Sequence, residues 1–134
     1  MNGARICIFT MKGDSRGNLV AIEGNIDLDF QISRVFYIFN SSPQIIRGKH
    51  ANRRSKICLI AVAGTCRIVV DNGKEREEFL MDTPSKGLLC DSMTWKEMKD
   101  FSSDCVLLGI SDLPYDEGEY ITDYNAFLQE INHG

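Results

Sequence analysis

The sequence has no CxxC pair, only two histidines and no long apolar run. Without paired thiolates a structural zinc site is not expected. The five cysteines, Cys7, Cys58, Cys66, Cys90 and Cys105, are odd in number, scattered and mostly flanked by Ile, Leu or Val. They read as reduced, small core residues rather than as a disulfide framework. No hydrophobic stretch approaches the ~20 residues of a spanning helix. The opening Met1-Asn2-Gly3-Ala4-Arg5 has neither the apolar core nor the cleavage site of an export signal, so a cytoplasmic protein is expected. Nor is there an excess of positive charge: the net charge of −4 argues against a generic nucleic-acid or anionic-membrane surface, and any basic site must be local. Internal repeats, low-complexity segments and linkers are absent as well, which leaves one domain over residues 1–134.

What is present is a series of short β-type runs. Residues 5–10 and 19–23 flank a turn-like 12–18 and predict a hairpin or crossover pair. In 32–39, Arg34, Phe36 and Ile38 fall on one face and Val35, Tyr37 and Phe39 on the other; large groups on both faces predict a central strand. Residues 56–62 are too apolar for alternation and predict a strand buried on both sides, turned at 63–65 and followed by a returning strand at 66–70. Asp71-Asn72-Gly73-Lys74 is a strong hairpin signal before 75–81. Short strands at 88–90, 93–98 and 105–111 complete an all-β sandwich or barrel. The period then changes: Tyr120, Tyr124, Phe127, Leu128 and Ile131 draw one apolar stripe on a C-terminal helix over about 120–132. His133 lies one residue from the C-terminus and is expected to be disordered.

One stretch stands apart from this pattern. Arg47-Gly48-Lys49-His50-Ala51-Asn52-Arg53-Arg54 packs its cations and one histidine into eight residues before the most strand-like run of the chain, which suits an anion site better than a core. Simpler readings stand beside that one. The arginines could be charges on a strand edge, Tyr37 and Trp95 could be core aromatics, and Lys96 and Glu97 could form an exposed ion pair.

Several motifs in order resemble the sugar 3,4-ketoisomerase family. They are Asp14-Ser15-Arg16-Gly17-Asn18-Leu19, Arg34-Val35-Phe36-Tyr37-Ile38, Arg47-Gly48-x-His50-Ala51, Gly64, Asp71-Asn72-Gly73, Trp95-x-Glu97-Met98-x-Asp100-Phe101-Ser102, and Tyr115-Asp116 with Glu119-Tyr120-Ile121. The resemblance implies a cupin-type jelly roll. It also implies conversion of dTDP-4-oxo-6-deoxyglucose to its 3-oxo isomer, and homodimers with exchanged N-terminal strands; the row of apolar residues in 5–10 is a hint of the same from the sequence. Two departures stand out: a pocket histidine of the family is replaced by Asn52, with Arg53 in place of the following lysine, and another, after the tryptophan, is replaced by Lys96.

Moving a carbonyl from C4 to C3 requires abstraction of the C3 proton, an enediolate and reprotonation at C4. His50, with an ordinary pKa near ~6.5, is the expected proton-transfer group, with Tyr37 as its catalytic partner. Arg16, Arg47, Asn52, Arg53, Trp95 and Lys96 are the expected contacts to a dTDP-hexose. No metal or other cofactor is expected, because one imidazole, a carboxamide and an amine make a poor ligand set. A catalytically silent nucleotide-sugar-binding cupin, or an isomerase or epimerase of a related nucleotide sugar, remains open at this point.

Overall fold

The computed structural model describes residues 1–133, and two five-stranded antiparallel sheets face each other across its core. The first has the order β1 (Ala4–Ile8), β9 (Lys86–Cys90), β6 (Ile57–Ala63), β11 (Val106–Ser111) and β4 (Arg34–Phe39). The second has β12 (Tyr120–Ile121), β5 (Arg47–Asn52), β10 (Trp95–Lys99), β7 (Cys66–Asp71) and β8 (Arg76–Met81). A separate hairpin, β2 (Met11–Asp14) with β3 (Gly17–Val20), stands outside both. This is the jelly-roll sandwich expected of the sequence.

The alternation of side chains sorts the molecule into layers. Leu59 and Ala61 of β6, Ile68 and Val70 of β7, Leu88, Met98 and Leu107 point inward and form the central core, with Met81 and Phe101. Cys58 and Ile60 point to the other side of the first sheet, where Phe9, Leu28 and Phe30 cover them. That double burial is why β6 reads as a continuous apolar run. Beyond the second sheet, Ala51, Trp95 and Ile121 pack on Phe127 of α1 (Tyr124–His133). All five cysteines are free thiols, four of them buried.

The structure changes several expectations. β4 is an edge strand, not a central one: only Arg34, Phe36 and Ile38 face in, while Val35, Tyr37 and Phe39 are 54%, 63% and 57% exposed. β6 and β7 do not form a hairpin, because the turn at Gly64 carries the chain from one sheet to the other. The first predicted turn itself forms the β2–β3 hairpin, and β1 pairs with β9. The helix begins four residues later than its apolar stripe suggests. Tyr120 and Ile121 instead pair with Asn52 and Ala51, and the Asp123 side chain caps the helix by accepting from Ala126 N at 3.0 Å. His133 is the last residue of that helix rather than a disordered end.

Candidate active site

The two sheets part at one end, where a cavity of about 460 Å³ opens between β4 and β6 on one side and β5 and β10 on the other. Phe36, Ile57, Leu59 and Met98 make its floor apolar, while Arg34, Arg47, His50 and Lys96 point cations or an imidazole into it. Tyr115 and Tyr120 close its rim.

Local backbone geometry places His50. Gly48 and Lys49 both have positive φ, +80° and 55°, opposite a break in register between Lys96 and Glu97 of β10. This bulge sets His50 directly across from Lys96. A Cβ on Gly48 would stand 2.9 Å from the Lys96 carbonyl oxygen, so only glycine lets the strands approach this closely. The imidazole lies 4.9 Å from the Tyr120 ring, and the Tyr120 hydroxyl accepts from Arg34 Nη2 at 3.1 Å. Arg34 is held between Phe36 and Tyr115, 5.4 Å from each ring centroid, and its Nε has no partner.

Burial and the Lys96 charge, with a smaller push from Arg34, lower the His50 pKa to about 4; a Gly48 backbone hydrogen bond and Glu119 oppose this. Burial likewise drives the Lys96 amine below its ordinary range, against the pull of Cys90 and Glu119. Lys96 is 1% exposed, and Nζ makes one hydrogen bond, 3.0 Å to the Thr94 carbonyl. Burial weighs on the charged form of both groups, and a charge on Lys96 further disfavours one on His50.

Glu119 is the buried carboxylate behind this cluster. Burial alone would raise its pKa, but Ser55 Oγ at 2.7 Å, Arg54 N at 3.0 Å and Ser55 N donate to it and hold it below the usual carboxylate range. These bonds fasten the Tyr115–Tyr120 rim to the turn after β5. Asn52 is fully buried beside Glu119, and neither of its amide atoms reaches a well-formed hydrogen bond.

Of the residues singled out from the sequence, His50, Arg47 and Lys96 meet in the cavity. Tyr37 touches its rim, but its ring leans on Phe39 on the outer face of β4. Arg16 sits on the β2–β3 hairpin, paired with Asp14 at 2.5 Å. Arg53 donates to Glu130 of α1 and to the Gly118 carbonyl, and Arg54 pairs with Asp116. Trp95 lies under α1 and donates to Glu97 at 2.9 Å. Lys96 and Glu97 therefore point to opposite faces and form no ion pair. Arg34, Phe36, Tyr115, Glu119 and Tyr120 were not singled out; the inward parity of Arg34 with Phe36 and Ile38 was the available signal for the first two.

An antiparallel sandwich with a cation-lined cavity between its sheets defines a cupin-type protein whose site suits a small anionic ligand. A family model described as FdtA: WxcM-like, C-terminal matches residues 2–132. The chain is 42% identical over 118 residues to a TDP-4-oxo-6-deoxy-alpha-D-glucose-3,4-oxoisomerase of Aneurinibacillus thermoaerophilus, covering 88% of this chain and 85% of that one. The TDP-fucose-3,4-ketoisomerase WlaRA of Campylobacter jejuni superposes with a TM-score of 0.93 at 38% identity, over 99% and 98% of the two chains. A histidine-to-asparagine variant of the 3,4-ketoisomerase QdtA of Thermoanaerobacterium thermosaccharolyticum, in complex with TDP-4-keto-6-deoxyglucose, superposes with a TM-score of 0.97 at 32% identity, over 99% and 96%. The chain belongs to the FdtA family of sugar 3,4-ketoisomerases.

Proposed function

We propose that this protein converts a TDP-linked 4-oxo-6-deoxyhexose into its 3-oxo isomer through an enediolate. The observation that carries this reading is one imidazole held uncharged at neutral pH, ready to accept a proton, in a cavity whose guanidinium groups are not spent on carboxylates. Among the described residues Arg34 and Arg47 pair with no carboxylate, in contrast to Arg53 and Arg54. His50 takes the C3 proton, and Arg34 and Arg47 hold the diphosphate or the developing oxyanion. A bound diphosphate brings negative charge into the cavity and raises the basicity of His50. Tyr120, its ring tilted 54° against His50, is the phenol that bears on the imidazole; Tyr37 contributes from the rim. Trp95, Arg53 and Asn52 act on the site through its scaffold.

The donor set does not fit a cupin metal. The cavity offers one imidazole beside an amine, guanidinium groups and phenols, and the Glu119 carboxylate behind it is taken up by Ser55 and Arg54 N, so no step is routed through an ion.

The working unit is read as a homodimer. The β2–β3 hairpin pairs with neither sheet, and Ile8 and Leu19 are 72% and 59% exposed near it. A partner that covers this surface would also bring Arg16 toward a second copy's cavity. Sedimentation at micromolar concentration tests this, and a monomer would refute it. Five unpaired thiols suit a reducing cytoplasm.

The direct test is proton NMR of dTDP-4-oxo-6-deoxyglucose with the protein in deuterated water, beside His50→Gln. Loss of the C3 proton signal with a 3-oxo product, absent in the variant, is expected. Asn52, buried and unpartnered, gives one observation in favour of a silent binding module. Broadened thymine signals without exchange would support that module and refute the enzyme.

A further inference from the structure

We infer that Lys96 carries the second proton of the isomerisation, from the C3 hydroxyl to the C4 oxygen, while His50 carries the first from C3 to C4. This rests on the ketoisomerase reading. The reaction needs both transfers. When His50 takes the proton from C3, the C–H electron pair becomes the C3=C4 bond and the carbonyl pair moves onto O4. For the carbonyl to reform at C3, the O3–H proton must leave, its electron pair closing C3=O as the double bond takes the His50 proton at C4. O4 meanwhile must end as a hydroxyl. One proton thus travels between carbons and one between oxygens, and no oxidant or reductant is consumed.

With the one imidazole committed to the carbon-to-carbon transfer, the oxygen-to-oxygen step falls to another group of the cavity. That carrier must both accept and donate a proton. A guanidinium only donates, so Arg34 and Arg47 are excluded, and an ammonium can accept only after it has given up a proton. An uncharged amine does both. Lys96 meets the structural conditions for that state: it is 1% exposed, lines the cavity, stands across the strand pair from His50, and keeps one hydrogen bond to the Thr94 carbonyl. Among the described residues no carboxylate forms an ion pair with it. The groups that face it are His50 on β5, Cys90 on β9 and Glu119 behind the rim, with Arg47 on the neighbouring strand β5 and Arg34 across the cavity. Burial outweighs the two acidic groups, which lowers the amine toward its neutral form.

The two transfers can be read apart in deuterated water. Exchange of the C3 proton of dTDP-4-oxo-6-deoxyglucose reports the His50 step alone, because the enediolate can return to the starting ketone. Appearance of the 3-oxo isomer reports both. For Lys96→Met, isomer formation is expected to fall by ~100-fold or more, the usual weight of one acid–base group, while C3 exchange stays within ~10-fold of wild type. Lys96→Arg should do no better than the methionine variant. Lys96→His, whose neutral ring has one donor and one acceptor, should recover most of the loss. Wild-type partition toward isomer, relative to exchange, should fall as pH is lowered and the amine takes up a proton. Full isomerisation by Lys96→Arg would overturn the inference in favour of a simple charge. So would equal loss of exchange and isomerisation in Lys96→Met with a raised KM. Wild-type protein that neither exchanges nor isomerises would sink the ketoisomerase reading itself, a result separate from either of these.

Discussion

Gly48→Ala is the perturbation that tests most sharply how the site is held. Gly48 has φ +80°, and a Cβ there would meet the Lys96 carbonyl oxygen at 2.9 Å and its carbon at 3.5 Å. Holding an L-residue in the left-handed region costs about 1–2 kcal/mol. Forcing β5 and β10 apart at the bulge adds about 1–3 kcal/mol, as overpacking does elsewhere. The expected loss is about 2–5 kcal/mol, or roughly 10 °C in Tm for a domain of this size. Gly17→Ala is the control: its φ of +124° is also closed to L-residues, but nothing lies within 4 Å of its Cβ. Thermal unfolding should show Gly48→Ala below Gly17→Ala. At a temperature where both are folded, only Gly48→Ala should lose isomerase activity, by ~10-fold or more, because His50 and Lys96 are displaced from each other by a fraction of an ångström to an ångström. A Gly48→Ala protein with wild-type Tm and rate would refute the claim that this close approach sets the site.

Two further predictions follow from the buried charges. Glu119→Gln exchanges a carboxylate that accepts from Ser55 Oγ, Ser55 N and Arg54 N for an amide; about 2–3 kcal/mol of stability should be lost, with a raised KM as the Tyr115–Tyr120 rim loosens. Urea unfolding checks the first and initial rates the second, and an unchanged midpoint would refute the anchoring role. Acid should also destabilise the fold through His50. Its pKa is about 4 in the folded protein against 6.5 when exposed, so between these values the unfolded chain binds a proton that the folded one does not. Stability therefore falls as pH drops through that window, by about 3 kcal/mol. Glu119, held below its usual range, acts in the same direction at lower pH, since its contribution is lost once it is protonated. In urea titrations from pH 7 to 4.5, His50→Gln should show a flatter decline than wild type; parallel declines would exclude His50 as the cause.

Much of the sandwich was legible because its strands obey local rules. The Asn72-Gly73 turn joins β7 and β8 as expected, and β6 reads as doubly buried because two separate apolar clusters use its two faces. What failed was pairing. Whether β4 is central or an edge depends on which strand comes to lie beside it, and nothing within residues 34–39 encodes that. The helix start failed for the same reason: Tyr120 fits the helical stripe, but a pairing with Asn52, 68 positions back in the chain, wins it for a strand.

The site shows where such reading stops. A run of cations around His50 marked the place, yet a count of charges says nothing about which are already neutralised. Arg53 and Arg54 are the most conspicuous members of that run, and they are spent on Glu130 and Asp116 at the surface. Arg34 and Lys96 come from strands elsewhere in the chain and complete the cavity. The selection is made by burial. An arginine at the surface finds a carboxylate at little cost, whereas one turned between the sheets keeps its charge only if tyrosine and phenylalanine faces hold it, as they hold Arg34. A lysine in the same place has another way to remain there, which is to give up its proton. The arginine then stays a fixed charge for an anionic ligand, and the lysine becomes a group that can move a proton. Two basic residues alike in sequence composition are in this way divided by their depth in the fold.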